Sequence, residues 1–273
     1  MTVRLDVDGV VFDYPDGTRA LDGVDLAIAP GECVAIVGQN GSGKSTLVRQ
    51  LNGLLRPTRG RVAIDGRDAG DLHVAELARI VGLAFQNPDR QIFAGSARAE
   101  ASFGPRNLGL RAEALERAVA DALAAVGLAE HAESNPYDLG ASRRKLLSLA
   151  SVLAMRTPVV ILDEPTTGQD ARGVTRVEAI VGDLAAEGRT VVAISHDMRF
   201  VAETFARVVV MRAGRIVLDA PPGEVFARPS WPVLSSTYLE PTFPARVGGL
   251  LDLGGTPTDA SLVAALRARG PAA

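Results

Sequence analysis

A glycine-rich run at residues 38–46 carries the clearest chemistry in this sequence: Gly-Gln-Asn-Gly-Ser-Gly-Lys-Ser-Thr. The run fits the phosphate-binding pattern G-x-x-x-x-G-K-[ST]. Glycines let a backbone wrap closely around a phosphate, and the N–H groups of the loop and of the next helix supply positive potential. We expect the phosphates of a nucleotide to be bound by Gly38, Gln39, Asn40, Gly41, Ser42, Gly43, Lys44, Ser45 and Thr46.

Within this loop, Lys44 is expected to reach the β- and γ-phosphates, and the Ser45 hydroxyl to complete a Mg²⁺ shell. Lys44 and Lys145 are the only lysines in the chain, and arginine supplies the remaining positive charge. The alternative is a glycine-rich turn with an exposed lysine. The flanks favour the phosphate loop, because the apolar run 33–37 predicts a buried strand before it and residues 46–51 predict a helix after it.

Two adjacent carboxylates, Asp163 and Glu164, follow the apolar strand predicted at 159–162. In phosphate-loop nucleotidases such an aspartate joins the Mg²⁺ shell, and the next glutamate orients or deprotonates the attacking water. The alternative is that both carboxylates only cap the turn after the strand. The phosphate loop elsewhere in the chain favours the catalytic interpretation.

Three further side chains are candidates for contacts to a nucleotide. His196 follows the strand predicted at 190–195, where it could hydrogen-bond the γ-phosphate; the alternative is a structural hydrogen bond. Gln86 ends another strand, where it could ligate Mg²⁺ and sense the γ-phosphate. Tyr14 follows the first strand, where its ring could stack on adenine or instead be a partly buried core ring.

The elements that must position these residues alternate between strand and helix. A helical stretch of about seventy residues, 87–156, interrupts this alternation, which predicts an α/β core with a helical insertion. Beyond 221–223 the prolines predict loops, with one short helix at 258–269 capped by Thr258. The remaining predicted strands are 3–12, 20–28, 60–65, 80–85, 206–212 and 215–218, and the remaining predicted helices are 111–125, 143–155 and 171–187.

Composition narrows the class of protein. The formal net charge of −3 offers no general attraction for nucleic acid. The single cysteine, Cys33, excludes an internal disulfide. The first residues predict a strand and not a signal peptide, and no stretch approaches the roughly eighteen consecutive apolar residues of a membrane span. The sequence therefore predicts a soluble, cytoplasmic protein with no nucleic-acid partner.

The order of these motifs resembles that of the ATP-binding-cassette (ABC) ATPases over about residues 3–225: A-loop, Walker A, Q-loop, signature, Walker B, D-loop and H-loop. The resemblance implies a phosphate-loop fold with a RecA-like core, an antiparallel β subdomain and a helical subdomain at about 87–156. It also implies an ABC ATPase domain at 1–225, a C-terminal extension at 226–273, and ATP and Mg²⁺ as ligands. In motif order, the residues are Tyr14, Gly38–Thr46, Gln86, Leu139–Arg143, Asp163 with Glu164, Gln169 with Asp170, and His196.

Two segments resemble a narrower group, the energy-coupling-factor (cobalt/vitamin-type) import ATPases. They are the Q-loop region 84–93 and the segment 12–17. The resemblance implies a second ABC ATPase subunit, commonly in a heterodimer, a transmembrane coupling protein and a substrate-binding membrane protein. It implies a peripheral location on the cytoplasmic face of the membrane and a micronutrient as cargo, either a vitamin or a transition metal ion.

One motif departs from the family. The signature is Leu-Ser-Gly-Gly-Gln in the family, where it meets the γ-phosphate held by the partner subunit, and here it is Leu139-Gly140-Ala141-Ser142-Arg143. Gly140 lacks the hydroxyl, while Ala141 and Ser142 carry Cβ atoms where close approach favours none. The variant is either tolerated or weakens the partner's site, which would make a dimer unequal. We expect Ser142 to cap a helix that begins at Arg143.

Three classes of function remain open on the sequence. The first is an ATP-hydrolysing transport subunit. The second is a non-transport ABC protein acting on DNA or ribosomes, against which the single cassette, the mild acidity and the absence of heptads argue. The third is a regulatory subunit that binds ATP with low turnover; the altered signature favours it, and Glu164 and His196 argue against it. The cargo is not encoded in this chain, since membrane subunits select it.

Overall fold

The computed structural model describes residues 2–269. Its strands are β1 (Leu5–Asp13), β2 (Arg19–Ile28), β3 (Cys33–Val37), β4 (Arg59–Ile64), β5 (Arg67–Asp68), β6 (Val81–Ala84), β7 (Val159–Asp163), β8 (Thr190–Ile194), β9 (Arg207–Arg212) and β10 (Arg215–Ala220). Its α-helices are α1 (Lys44–Leu51), α2 (Val74–Leu77), α3 (Ala97–Asn107), α4 (Ala112–Ala125), α5 (Ala141–Leu153), α6 (Ala171–Ala186), α7 (Met198–Thr204), α8 (Pro222–Val225), α9 (Trp231–Ser235), α10 (Phe243–Leu250) and α11 (Asp259–Arg269).

The strands form two sheets. One is antiparallel, in the order β2-β1-β4-β5, and the other is mixed, in the order β10-β9-β3-β8-β7-β6. In the mixed sheet only the edge strand β10 is antiparallel to its neighbour. The carboxyl ends of β3, β7 and β8 therefore lie at one edge, which is where ligands bind in sheets of this type. The predicted α/β fold with an antiparallel β subdomain is confirmed.

Strand β3 separates two hydrophobic cores because its alternate side chains point to opposite faces. Val34 and Ile36 belong to the core shared with α1 and the antiparallel sheet. Ala35 and Val37 belong to the core shared with α5 and the helical insertion. The phosphate loop and the insertion are thus anchored on opposite faces of one strand.

The helical insertion consists mainly of α3, α4 and α5, which pack on one another. Helix α3 begins where the Ser96 hydroxyl accepts a hydrogen bond from the Ala99 amide at 3.2 Å. Helix α5 also packs on β6 and β7. Its first turn is thereby held beside the carboxyl edge of the mixed sheet.

The prediction of loops between residue 223 and the final helix is wrong, because helices α9 and α10 lie within this segment and α8 ends in it. Their prolines stand at the first or second helical position: Pro222, Pro232 and Pro244. There the missing N–H costs nothing and the fixed φ favours the helix. The predicted final helix is present, and the Thr258 hydroxyl accepts a hydrogen bond from the Ser261 amide at 3.2 Å.

The prediction that Ser142 caps a helix beginning at Arg143 is also wrong. Helix α5 begins at Ala141, and Gly140 precedes it with no side-chain cap. Ser142 lies in the first turn, and its hydroxyl donates instead to Gln169. Within residues 2–269, no helix combines the length and the apolar character needed to cross a membrane.

Candidate nucleotide-binding site

The glycines of the phosphate loop are required by its shape. Gly38 has φ 147°, and a Cβ there would lie 2.2 Å from the carbonyl oxygen of Met211. Gly43 has φ 102°, and a Cβ there would lie 2.5 Å from the carbonyl oxygen of Ala20. Any side chain at either position would displace neighbouring backbone, so the loop keeps its open shape only with glycine.

The loop is organised around the Lys44 ammonium group. Nζ donates to the carbonyl oxygens of Gly38 at 2.6 Å and Gln39 at 3.0 Å. Helix α1 begins at Lys44 with no side-chain cap and no acidic residue in its first turn. Its first N–H groups are therefore available to an anion, and the helix dipole favours one. Among residues 2–269 the buried Ser42 hydroxyl also has no hydrogen-bond partner.

Glu164 is held in place by several contacts at the end of β7. Its backbone has φ 53°, a sparsely populated conformation for a residue with a side chain, and its amide donates to the Ile194 carbonyl at 2.9 Å. Oε1 lies 3.0 Å from Nε2 of His196. Oε2 accepts from the Thr167 hydroxyl at 3.2 Å and from the His196 amide at 3.3 Å. The side chain is 4% exposed, so its orientation is fixed before a substrate arrives.

Burial and charge compete at the two carboxylates. Burial raises the pKa of Glu164 above its ordinary value, and the electrostatic interaction with His196 opposes that rise. Burial also raises the pKa of Asp163, opposed first by Arg49, then by Lys145 and by the Ser45 hydroxyl. A carboxylate with a raised pKa is a stronger base than an exposed one, which suits Glu164 for accepting a proton from water.

A cavity of about 320 Å³ collects most of the predicted nucleotide contacts. Gly38 and Gln39 do not line it; they lie behind Lys44 and orient it through the two carbonyl contacts. The cavity is lined by Tyr14, Asn40, Gly41, Ser42, Gly43, Lys44, Ser45, Thr46, Gln86, Asp163, Glu164 and His196, among others. Residues up to 182 positions apart in the sequence thus share one cavity.

Tyr14 is half-buried at the mouth of this cavity. Its hydroxyl lies 3.0 Å from the Thr46 hydroxyl, and its ring packs edge-to-face on Phe12 with centroids 4.9 Å apart. The ring is therefore packed in part and also borders the cavity. Its stacking on adenine stays a prediction.

The signature and the D-loop do not line this cavity. Leu139 is buried in the insertion, and Asp170 caps α6 by accepting from the Gly173 amide at 2.8 Å. The two segments are joined to each other: the Ser142 hydroxyl donates to Oε1 of Gln169 at 2.7 Å, and Nε2 of Gln169 donates to the Ser142 carbonyl at 3.1 Å. Within one chain they form a surface separate from the nucleotide cavity.

Sequence reasoning missed three residues near the site. Gln91 connects the Q-loop to α5, accepting from the Phe85 amide at 3.1 Å and donating to the Ser148 carbonyl at 2.7 Å. Arg49 and Lys145 act on the charge of Asp163. The scarcity of lysine was the available signal for Lys145, and Gln91 lies in the segment 84–93 that resembles the import ATPases. Nothing in the sequence singled out Arg49.

The fold and the site together define a phosphate-loop nucleotide-binding protein. A family model described as "ABC transporter" matches residues 21–167. The chain belongs to this family, as an ABC transporter ATP-binding protein.

Relatives support this assignment. The energy-coupling factor transporter ATP-binding protein EcfA of Methanocaldococcus jannaschii is 40% identical over 225 residues, covering 82% of this chain and 81% of that protein. The structure of cbiO1 from Clostridium perfringens, part of the ABC transporter complex cbiONQ, matches with a TM-score of 0.75 and 35% identity, covering 91% of this chain and 98% of that one.

Some relatives are much longer than this chain. A protein of Caldanaerobacter subterraneus subsp. tengcongensis is 43% identical over 224 residues, which are 82% of this chain and 39% of the relative. The matched region likewise spans 40% of a relative in Methanosarcina acetivorans. The activity, cargo and partners of this protein are therefore proposals.

Proposed function

We propose that this chain binds and hydrolyses ATP and thereby powers a membrane importer of the energy-coupling-factor type, with a vitamin or a transition metal ion as cargo. The observation that carries the hydrolytic part is Glu164, buried and fixed 3.0 Å from His196 at the edge of the phosphate-loop cavity. Similarity to EcfA and cbiO1 supports the transport part. The ABC ATPase domain is proposed to span 1–225 and the extension 226–273.

Each site residue has a role in this proposal. Glu164 accepts the proton of the attacking water, and His196 orients Glu164 and contacts the γ-phosphate. Lys44 and the first N–H groups of α1 bind the β- and γ-phosphates. Tyr14 stacks on the adenine base. The remaining loop residues shape the phosphate cradle.

The donor set fits Mg²⁺. Oδ1 of Asp163 is buried and has no hydrogen-bond partner within the described part of the chain. The Ser45 hydroxyl favours the charged form of that carboxylate, and Gln86 lines the same cavity. Within residues 2–269 no group of three or more His, Cys, Asp and Glu side chains is arranged to hold a metal. That is expected where phosphates and water supply most Mg²⁺ ligands. When bound, the ion would neutralise charge that develops on the transferred phosphoryl group.

An apolar pair next to the Q-loop supports docking onto membrane subunits. Phe93 and Phe103 are 60% and 50% exposed, and their rings pack edge-to-face with centroids 4.7 Å apart. The alternative, that both rings form the core of the insertion, does not fit this exposure. Ile92, by contrast, is buried and is not part of this surface. We propose that the two rings contact a transmembrane coupling protein on the cytoplasmic face of the membrane.

The altered signature supports pairing with a different cassette. In the family arrangement each ATP lies between the phosphate loop of one subunit and the signature of the other. A homodimer would carry two altered signatures, whereas a partner with Leu-Ser-Gly-Gly-Gln would complete the site at Lys44 and Glu164. We therefore propose a heterodimer with a second ABC ATPase subunit and no nucleic-acid partner.

Cysteine crosslinking to a co-expressed coupling protein tests the transport function. Phe93→Cys and Phe103→Cys are expected to crosslink when Cys33 is first replaced by Ala. Tyr238→Cys, at an 84% exposed position in the extension, is the matched control and should not crosslink. Crosslinks from neither phenylalanine position would favour a non-transport ABC protein. Crosslinks together with negligible ATP turnover would favour the regulatory subunit.

A further inference from the structure

A second cavity, of about 560 Å³, adjoins the nucleotide cavity. Asp163 and Gln86 line both cavities. The second one lies between α1, the Q-loop and the first turn of α5. Its charged lining residues are Arg49, Asp89, Arg90, Arg144, Lys145 and Asp163.

Lys145 is the central feature of this second cavity. It is 8% exposed, and among the residues that the structure describes no side chain or carbonyl accepts a hydrogen bond from its Nζ. Burial lowers the pKa of this ammonium group, and the charges of Glu164 and Asp163 oppose that shift. The Lys145 side chain is thus largely desolvated, and only charges at a distance compensate for this loss of solvation.

The balance of charges around the cavity is positive. Four cationic side chains face two carboxylates, and one of the two, Asp163, belongs to the proposed Mg²⁺ site. The second carboxylate, Asp89, lies 3.7 Å from Nε of Arg144. That Nε is buried and has no hydrogen-bond partner among the described residues, while Nη1 of Arg144 donates to the Leu139 carbonyl at 3.4 Å. Within residues 2–269 neither Arg49 nor Lys145 forms a salt bridge, and both interact with Asp163 only as charges at a distance.

The first turn of α5 adds to this positive potential. The helix has no side-chain cap and no acidic residue in its first turn, yet Arg143, Arg144 and Lys145 follow one another there. Positive charges near a helix N-terminus oppose the helix dipole and destabilise the helix. Helical spacing puts Ala141, Arg144 and Lys145 on one face, and all three line the cavity. Such a locally unfavourable arrangement is typical of a binding site.

We propose that the second cavity is a binding site for inorganic phosphate, held by Lys145, Arg49 and Arg144. The assignment of this phosphate as the product leaving the adjoining site rests on the proposed ATP hydrolysis. Binding pairs the ammonium group of the buried Lys145 and the half-buried guanidinium groups of Arg49 and Arg144 with a tetrahedral oxyanion. The shared border at Gln86 and Asp163 gives the product a path away from the nucleotide without crossing the phosphate loop.

Isothermal titration of inorganic phosphate into the nucleotide-free chain tests this site. The phosphate loop itself binds anions, so the titration uses Lys44→Ala as its background. We expect Lys44→Ala to retain phosphate binding, and a further Lys145→Gln change to weaken the affinity about tenfold or more, the size expected for losing a charged hydrogen bond. Arg172→Gln is the matched control, because Arg172 is an exposed residue in the first turn of α6, where it does not line the cavity.

Phosphate binding that disappears in Lys44→Ala, or that is unchanged by Lys145→Gln, would overturn the proposal. If Lys44→Ala does not fold, the same comparison is made in the wild-type background with ADP filling the phosphate loop. ATP binding and turnover by the wild-type chain are measured separately. Failure of ATP turnover with phosphate binding intact would reject the proposed function alone, and the reverse result would reject only the phosphate site.

Discussion

Helices α1 and α5 begin in the same unusual way. Each follows a glycine, Gly43 or Gly140, with no side-chain cap and no acidic residue in its first turn. Helices α3, α6 and α10 are instead capped by the side chains of Ser96, Asp170 and Thr242. An uncapped N-terminus leaves N–H groups for another partner. The chain therefore presents two helix ends of similar electrostatics, and its two lysines lie at them.

The N-termini of α1 and α5 differ in how far the protein itself satisfies their lysine side chains. At α1, Lys44 is held by two loop carbonyls before any ligand is present. At α5, Lys145 is buried and donates to no carbonyl within residues 2–269. The first turn of this helix is hydrogen-bonded to Gln169 through the Ser142 hydroxyl. The end at α1 is preorganised by its own loop, whereas the end at α5 depends on groups from elsewhere. This difference predicts a graded response to mutation.

The largest effect is expected from Lys44→Ala. Removing the ammonium group at α1 should abolish ATP binding, because Lys145 approaches Asp163 from the other helix end and cannot take over the β- and γ-phosphate contacts. Equilibrium binding of a fluorescent ATP analogue measures this, with Arg172→Gln as the control that should bind normally. Wild-type affinity in Lys44→Ala would mean that the loop at 38–46 is not the phosphate site.

Glu164→Gln should preserve ATP binding and slow hydrolysis by about 10²-fold or more, the size expected for losing a general base. Glutamine keeps the shape and can still contact His196, but it cannot accept a proton from water. Steady-state phosphate release, measured beside ATP affinity for each protein, separates the two steps. Equal hydrolysis rates in Glu164→Gln and the wild-type protein would mean that Glu164 has only a structural role. The α1 and α5 ends would then be compared by their ligand binding alone.

The phosphate loop before α1 could be predicted because consecutive residues in the sequence determine it. Nine consecutive residues fix the loop, and Asp163, Glu164 and His196 follow buried strands whose carboxyl ends meet at one edge. At the α5 end the sequence located the signature and its arginines, but it could not show that Lys145 and Arg49 line one cavity, because these residues come together only when the insertion packs on the core. Helices α8, α9 and α10 were missed for a different reason: proline marks both helix starts and loops, and only packing distinguishes them.

A reconstituted heterodimer tests whether the altered signature at α5 supports hydrolysis of the partner's ATP less well than the family sequence does. The partner would be a cassette with an intact Leu-Ser-Gly-Gly-Gln, and each subunit's Walker B glutamate would be changed to glutamine in turn. Glu164→Gln should remove nearly all hydrolysis, and the partner's change rather little, because the partner's ATP faces Gly140, Ala141 and Ser142. ATPase rates of the two mixed pairs measure the asymmetry. Equal losses would show that the altered signature works as well as the family sequence.

The smallest effect is expected from the contact between Ser142 and Gln169, which fastens the signature to the D-loop. Ser142→Ala removes the hydroxyl that donates at 2.7 Å and should lower the free energy of unfolding by about 1 kcal/mol, the usual net value of such a bond. Ser134→Ala, at a half-buried serine whose hydroxyl makes no hydrogen bond within the described residues, is the matched control and should change stability less.

A double-mutant cycle with Gln169→Ala then separates this bond from unrelated losses. Urea unfolding of the two single variants and of the double variant gives the coupling, which we expect to be about 0.5 kcal/mol or more for two residues in direct contact. The second bond, from Nε2 of Gln169 to the Ser142 carbonyl, survives Ser142→Ala and disappears with Gln169→Ala, so the glutamine change should cost more than the serine change. Additive losses would mean that the two segments move independently. In that case the first turn of α5 would be free to reorient toward a partner subunit. The lack of a hydrogen-bond acceptor for Lys145 within residues 2–269 would then reflect this mobility and not a missing ligand.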